Sequence, residues 1–104
     1  MIVSACHNGG TSYGIRIGRE DRDQHFSRKR KTIYIKIARK PEIARHLTGS
    51  FWGVGCEIRG SAFRDWFEEL GHVSKRGKRK WKNGKPPNFR LTPLGNGRFK
   101  LAKA

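Results

Sequence analysis

Acidic side chains are scarce in this chain. Among its 104 residues, 8 Asp plus Glu stand against 24 Lys plus Arg, which gives a formal charge of +16 and a pI near 11.0. No acidic residue lies beyond Glu69. Long apolar runs are missing as well: the opening stretch Met1 to Cys6 stops at His7 and the Gly9-Gly10 pair, too soon for a signal-peptide core or a membrane span. Only two cysteines occur, Cys6 and Cys56, with no CxxC spacing, so the chain does not read as a secreted disulfide scaffold. Two free thiols in a cytoplasmic protein are expected. The length excludes a Rossmann domain, a TIM barrel and any two-domain enzyme, and a 35% hydrophobic content supplies one modest core. Residues 1–104 therefore read as a single domain without a cofactor.

What is present is alternation. Tyr13, Ile15 and Ile17 alternate with Gly14 and Arg16, and Ile33, Ile35 and Ile37 alternate with Tyr34 and Lys36, the two-residue period of half-buried strands at about 13–18 and 32–38. Between them Glu20 to Lys31 is polar except for Phe26, which is expected to pin the connection to the core. Ile43 to Leu47 reads either as a short helix after Pro41 or as a returning strand with Ile43, Arg45 and Leu47 on one face; the strand is preferred. Phe63, Trp66, Phe67 and Leu70 fall at i, i+3, i+4 and i+7, which predicts a helix over 61–70 with Ser61 as its N-cap and Gly71 closing it. Phe89 and Leu91, then Phe99 and Leu101, flank Gly95-Asn96-Gly97 as a hairpin. The sum is an α+β fold: a small twisted antiparallel sheet of four or five strands with one main helix packed on one face.

A set of residues spread along the chain carries a resemblance. Gly14-Ile15-Arg16-Ile17 and Asp21-Arg22-Asp23 stand near the start; Ser50-Phe51-Trp52, Cys56, Glu57-Ile58-Arg59, Trp66 and Gly71 follow. Trp81, Gly84-Lys85-Pro86-Pro87, Phe89, Leu91, Pro93, Gly95 and Arg98-Phe99 complete it. With these the chain resembles a group of small, uncharacterised prokaryotic proteins over most of its length. The resemblance carries no function and no catalytic residues, and the run Ser74 to Lys80 is longer than the group's pattern.

The chemistry concentrates in cations. Lys75, Arg76, Lys78, Arg79, Lys80, Lys82 and Lys85 form a run with no apolar period, broken by glycines and closed by Pro86-Pro87, and predict a mobile basic loop over about 73–87. Trp81 within it reads equally as a stacking indole and as a core residue. Arg90, Arg98 and Lys100 occupy the polar face of the hairpin, and Arg28-Lys29-Arg30-Lys31 leads into a strand and extends the same stripe. Such residues neutralise phosphates and release counterions, whereas +16 on a small domain otherwise costs stability through self-repulsion. Nucleic-acid binding by these cations is the expectation. DNA is favoured over RNA because no RNP1 pattern or GxxG clamp occurs. The acidic outer face of the 61–70 helix makes it a poor major-groove reader, so recognition falls to strands and loop, with the protein a monomer or weak homodimer and no membrane partner.

Two other classes compete. A small toxin-like ribonuclease would draw its acid and base from His7, His25, His46 or His72, with Arg or Lys on the phosphorane, but no spacing links any two histidines, and no catalytic residue is assigned. An accessory protein could carry the same charge to an acidic partner. Asp21, Asp23 and His25 would share a face if extended, and Cys6, His7 and Cys56 would have to converge to bind zinc. A salt-bridged turn and buried thiols are the simpler readings, so no metal is expected.

Overall fold

A computed structural model describes residues 1–7, 12–73, 81 and 84–104. Seven strands form one sheet: β1 (Ile2–His7), β2 (Tyr13–Arg16), β3 (Thr32–Ile37), β4 (Ile43–His46), β5 (Glu57–Arg59), β6 (Asn88–Gly95) and β7 (Arg98–Lys103). Three short helices interrupt them, α1 (Arg19–His25), α2 (Gly49–Trp52) and α3 (Ser61–Glu69). The spatial order is β4-β3-β7-β6-β1-β2-β5. Every neighbouring pair is antiparallel except β3 and β7, which run parallel with Tyr34 beside Arg98 and Lys36 beside Lys100. The expected antiparallel sheet of four or five strands with one main helix is thus corrected to a mixed, seven-stranded, nearly barrel-shaped sheet with three helices.

The reasons for the shortfall are local. The chain Ile2-Val3-Ser4-Ala5-Cys6 is too weakly alternating to announce β1, and β5 is three residues with a charge on either side of Ile58. Helix α1 carries only polar residues. It is held by Arg22, the one charged residue buried among the described residues, and by Phe26 just beyond its end, which stacks on Phe99 at 4.6 Å. The expected Phe26 anchor is present. At α3, Gly60 rather than Ser61 occupies the N-cap position and no side chain caps it, while Gly71 at φ +80° ends the turn as the sequence predicts.

One face of the sheet is apolar and the other is not. Ile33, Ile35 and Ile37 of β3, Phe89 and Leu91 of β6, and Phe99 and Leu101 of β7 point inward, where they meet Phe63, Trp66 and Phe67 of α3 and Phe51 of α2 in one core. Phe67 and Phe89 stack at 5.3 Å, and Trp81 packs edge-on to Tyr13 at 5.5 Å. Burying an aromatic or aliphatic side chain of this size contributes ~1.5–3 kcal/mol before entropy is subtracted. The β6–β7 turn places Asn96 and Gly97 at φ +56° and +75°, both in the left-handed region that a tight two-residue hairpin requires. The sheet curls far enough to bring its edge strands together: the Arg45 guanidinium of β4 lies against Gly60 at the end of β5. Among the described residues no helix is long and apolar enough to cross a membrane.

Candidate nucleic-acid interface

Because side chains alternate along a strand, the residues between the core positions all emerge on the outer face of the sheet. On β3 these are Tyr34 and Lys36, on β7 Arg98 and Lys100, and on β6 Arg90 and Thr92. Register sets them side by side: Tyr34 next to Arg98, Lys36 next to Lys100, and Lys100 next to Thr92. The result is a patch of four cations over three strands with an exposed aromatic ring beside Arg98, Tyr34 being 38% exposed. Lys100 and Arg90 make no ion pair among the described residues; Arg98 faces Glu42 at 3.8 Å, a long exposed contact worth little in water. Lys36 Nζ donates to the Lys40 carbonyl at 3.3 Å, which leaves its charge unneutralised.

The second basic cluster joins this patch in part. Arg30 packs over Gly97 at the hairpin tip, and Lys29 and Lys31 line an open groove with Thr32 and Tyr34. Arg28 departs from it, its guanidinium lying 4.6 Å from the Trp52 ring centre in a cation–π contact. Lys85 is exposed ahead of β6, at the end of that strand remote from the hairpin turn. The remaining members of the basic run, Lys75, Arg76, Lys78, Arg79, Lys80 and Lys82, lie outside the described residues. Trp81 is 8% exposed between Tyr13 and Phe67, so its indole is a core group and is not available to stack on a base. Tyr34 and Lys36 escaped the reading of the sequence as site residues, although their alternation with three isoleucines already marks them as outward positions.

A second polar feature sits where β4 and β5 approach. Arg45, His46, Thr48, Ser50, Glu57 and Arg59 line a cleft of about 290 Å³. Glu57 accepts hydrogen bonds from Arg16 Nε at 3.1 Å and from Arg59 Nε at 3.0 Å. Burial acts to raise its pKa, but these two guanidinium groups outweigh burial and hold the carboxyl below its ordinary 4.5. Of the four histidines, His46 shares this cleft with a carboxylate; its Nδ1 lies 2.9 Å from Thr32 Oγ1. His7 packs against Tyr13, His72 against Phe89, and His25 is exposed at the end of α1.

Asp21, Asp23 and His25 sit on a helix rather than an extended segment, so residues two apart diverge around its axis, and Asp23 is taken by Arg22 at 2.9 Å. Among the described residues no group of three His, Cys, Asp or Glu is placed to hold an ion. Both cysteines are free and buried, and burial, reinforced by the Glu57 charge, pushes the Cys6 thiol from 9.0 to about 11. Cys56 lies 3.3 Å from Arg22 Nη1, inside the contact that fastens α1 to the segment before β5. Comparison with known families, known proteins and solved structures returns no match for this chain, so its function has to be read from this geometry.

Proposed function

We propose that this protein binds nucleic acid, laying a single strand along the outer face of β3, β7 and β6. The observation that carries the reading is the group of Lys36, Lys100, Arg98 and Arg90 on the outer face of three neighbouring strands, Lys36 in register with Lys100 and Tyr34 in register with Arg98. Lysine and arginine spaced along neighbouring strands meet successive phosphates, and an exposed phenol ring offers one base a stacking surface. Lys29, Arg30 and Lys31 lengthen the stripe at the hairpin end. Lys85 and the run Lys75 to Lys82 add charge of the same sign, and the reading includes them as backbone contacts without sequence preference. The preference for DNA stated above rests on missing RNA-reading motifs; a strand face of this kind grips phosphates and tolerates either sugar. A cytoplasmic location belongs to the same reading.

The test is a salt series with fluorescent duplex DNA, single-stranded DNA and an RNA hairpin. Log affinity should fall with log salt at a slope of about −0.7 per phosphate neutralised for a single strand. Changing Lys36, Arg98 and Lys100 together to Ala should flatten that slope by about two units and lower affinity at least about tenfold. Tyr34→Ala should cost single-strand affinity about 1–3 kcal/mol with the slope unchanged. A slope near zero, or affinity indifferent to the triple change, overturns the reading. In that case the acidic-partner class takes precedence, and nuclease treatment of the purified protein then leaves its absorbance at 260 nm unchanged.

A further inference from the structure

The contact between Thr32 Oγ1 and His46 Nδ1 joins two parts of the surface. Thr32 lies with Lys31 and Tyr34 in the groove that begins the stripe, and His46 lines the cleft at the seam between β4 and β5. A strand on the stripe therefore leads a phosphodiester to the seam. We propose that this cleft cleaves single-stranded RNA, with Glu57 and His46 moving the protons and Arg45 and Arg59 holding the phosphate.

The nucleophile comes from the substrate. The 2′-oxygen attacks the adjacent phosphorus, the 2′-O–P bond forms as the P–5′-O bond breaks, and the products are a 2′,3′-cyclic phosphate and a free 5′-hydroxyl. Glu57, the carboxylate in the cleft lining, takes the 2′-hydroxyl proton; His46 gives one to the departing 5′-oxygen, and solvent restores both. The charge that develops on the equatorial oxygens is met by Arg45 and Arg59. Thr32 holds Nδ1 and so fixes the imidazole plane, which leaves Nε2 for the substrate. Arg45 is seated by the absence of a side chain at Gly60, where a methyl group would come within 3.3 Å of its Cζ. A purely structural account, in which Arg16, Glu57 and Arg59 form an ion-pair row bracing β2 against β5, explains Glu57. It does not explain why His46 and Arg45, which make no ion pair among the described residues, line the same cleft.

The inference rests on the stripe for delivery of a strand but not for the chemistry, and the two are tested apart. The substrates are a fluorescent DNA oligonucleotide carrying one ribonucleotide, its all-DNA counterpart, and the dinucleotide UpA, which is too short to need the stripe. The ribonucleotide-containing strand should be cut once, 3′ of the ribose, leaving a cyclic phosphate, and the all-DNA strand should stay intact. His46→Ala, a change at an exposed edge-strand position, should lower the rate by about 10²–10⁴-fold without altering all-DNA binding; Glu57→Gln should do the same, and circular dichroism shows whether it folds. If the strand is bound and left intact, the seam assignment falls and the stripe stands. If no strand is bound, UpA decides: its cleavage by wild type and not by His46→Ala upholds the seam, and intact UpA overturns it. Cleavage that persists at full rate in His46→Ala belongs to a contaminant and also overturns it.

Discussion

Arg22 offers the sharpest test of how the helices are fastened to the sheet. It is 4% exposed, and its Nη1 donates to the Phe51 carbonyl at 3.2 Å and to the Gly53 carbonyl at 2.9 Å while its Nε donates to Asp23. The Phe51 carbonyl stands in the last turn of a four-residue helix, where no further turn follows to supply a donor. In Arg22→Leu that carbonyl stays buried and loses its donor, at about 1–3 kcal/mol, and the lost charged hydrogen bonds add ~1.5–3 kcal/mol. Asp23 is 56% exposed and returns to water, so its pairing contributes little. The leucine regains part of the loss by apolar burial, which leaves a net destabilisation of about 2–4 kcal/mol, or a fall in Tm of about 10–25 °C for a domain of this size. Urea titration followed by the fluorescence of Trp52, Trp66 and Trp81 measures it. Arg22→Lys should fall between the two, since an ammonium in the place of Nη1 keeps donors for the two carbonyls but loses the Nε donor to Asp23 and the planar fork that fixes it. A loss below about 1 kcal/mol in Arg22→Leu would mean that α1 is held by Phe26 alone, and it refutes the fastening.

Two further outcomes follow from the packing. Gly14→Ala places a Cβ against the Ile58 carbonyl oxygen and 2.8 Å from the Arg59 Cα, both backbone atoms that cannot rotate aside, so β5 must leave β2; the expected result is loss of the cooperative thermal transition, and an unchanged Tm refutes the close approach. Cys6, whose thiol is raised from 9.0 to about 11, is protonated in the folded state over a range where the unfolded chain ionises. The folded state then binds more protons than the unfolded one, so stability falls as pH rises from about 9 toward 11. Wild type should lose stability over that range relative to Cys6→Ala, and parallel curves for the two proteins would contradict the assignment.

How much of this was legible in the sequence depended on whether an element advertises itself locally. Helix α3 did, because four large apolar residues recur at its period, and so did the β6–β7 hairpin, because Asn96-Gly97 demands two left-handed residues in a row. Helix α1 did not. Its apolar anchor lies outside it, and its buried contact is an arginine, a residue that a hydrophobic pattern counts as exposed. Strands β1 and β5 are identified by their partners rather than by their own residues, and the parallel β3–β7 pairing joins segments more than sixty positions apart with nothing in either to signal it. The site divides the same way. The hairpin cations Arg90, Arg98 and Lys100 could be read from alternation, whereas the seam cleft exists only because the sheet curls until β4 and β5 meet, and no spacing of His46, Glu57 and Arg59 encodes that.

The position of β7 has a consequence for how the sheet comes together in time. It is the last strand in chain order, yet it lies between β3 and β6, so without it the β4–β3 ribbon shares no ladder with the β6-β1-β2-β5 block. As the chain emerges during synthesis, those two halves can form as separate ribbons, each with an open edge lined by Ile35 and Ile37 on one side and Phe89 and Leu91 on the other. Arg98 to Lys103 then enters as a keystone, closing both edges in a single step. Shortening the protein from that end therefore does not trim a border strand; it divides the molecule along its middle.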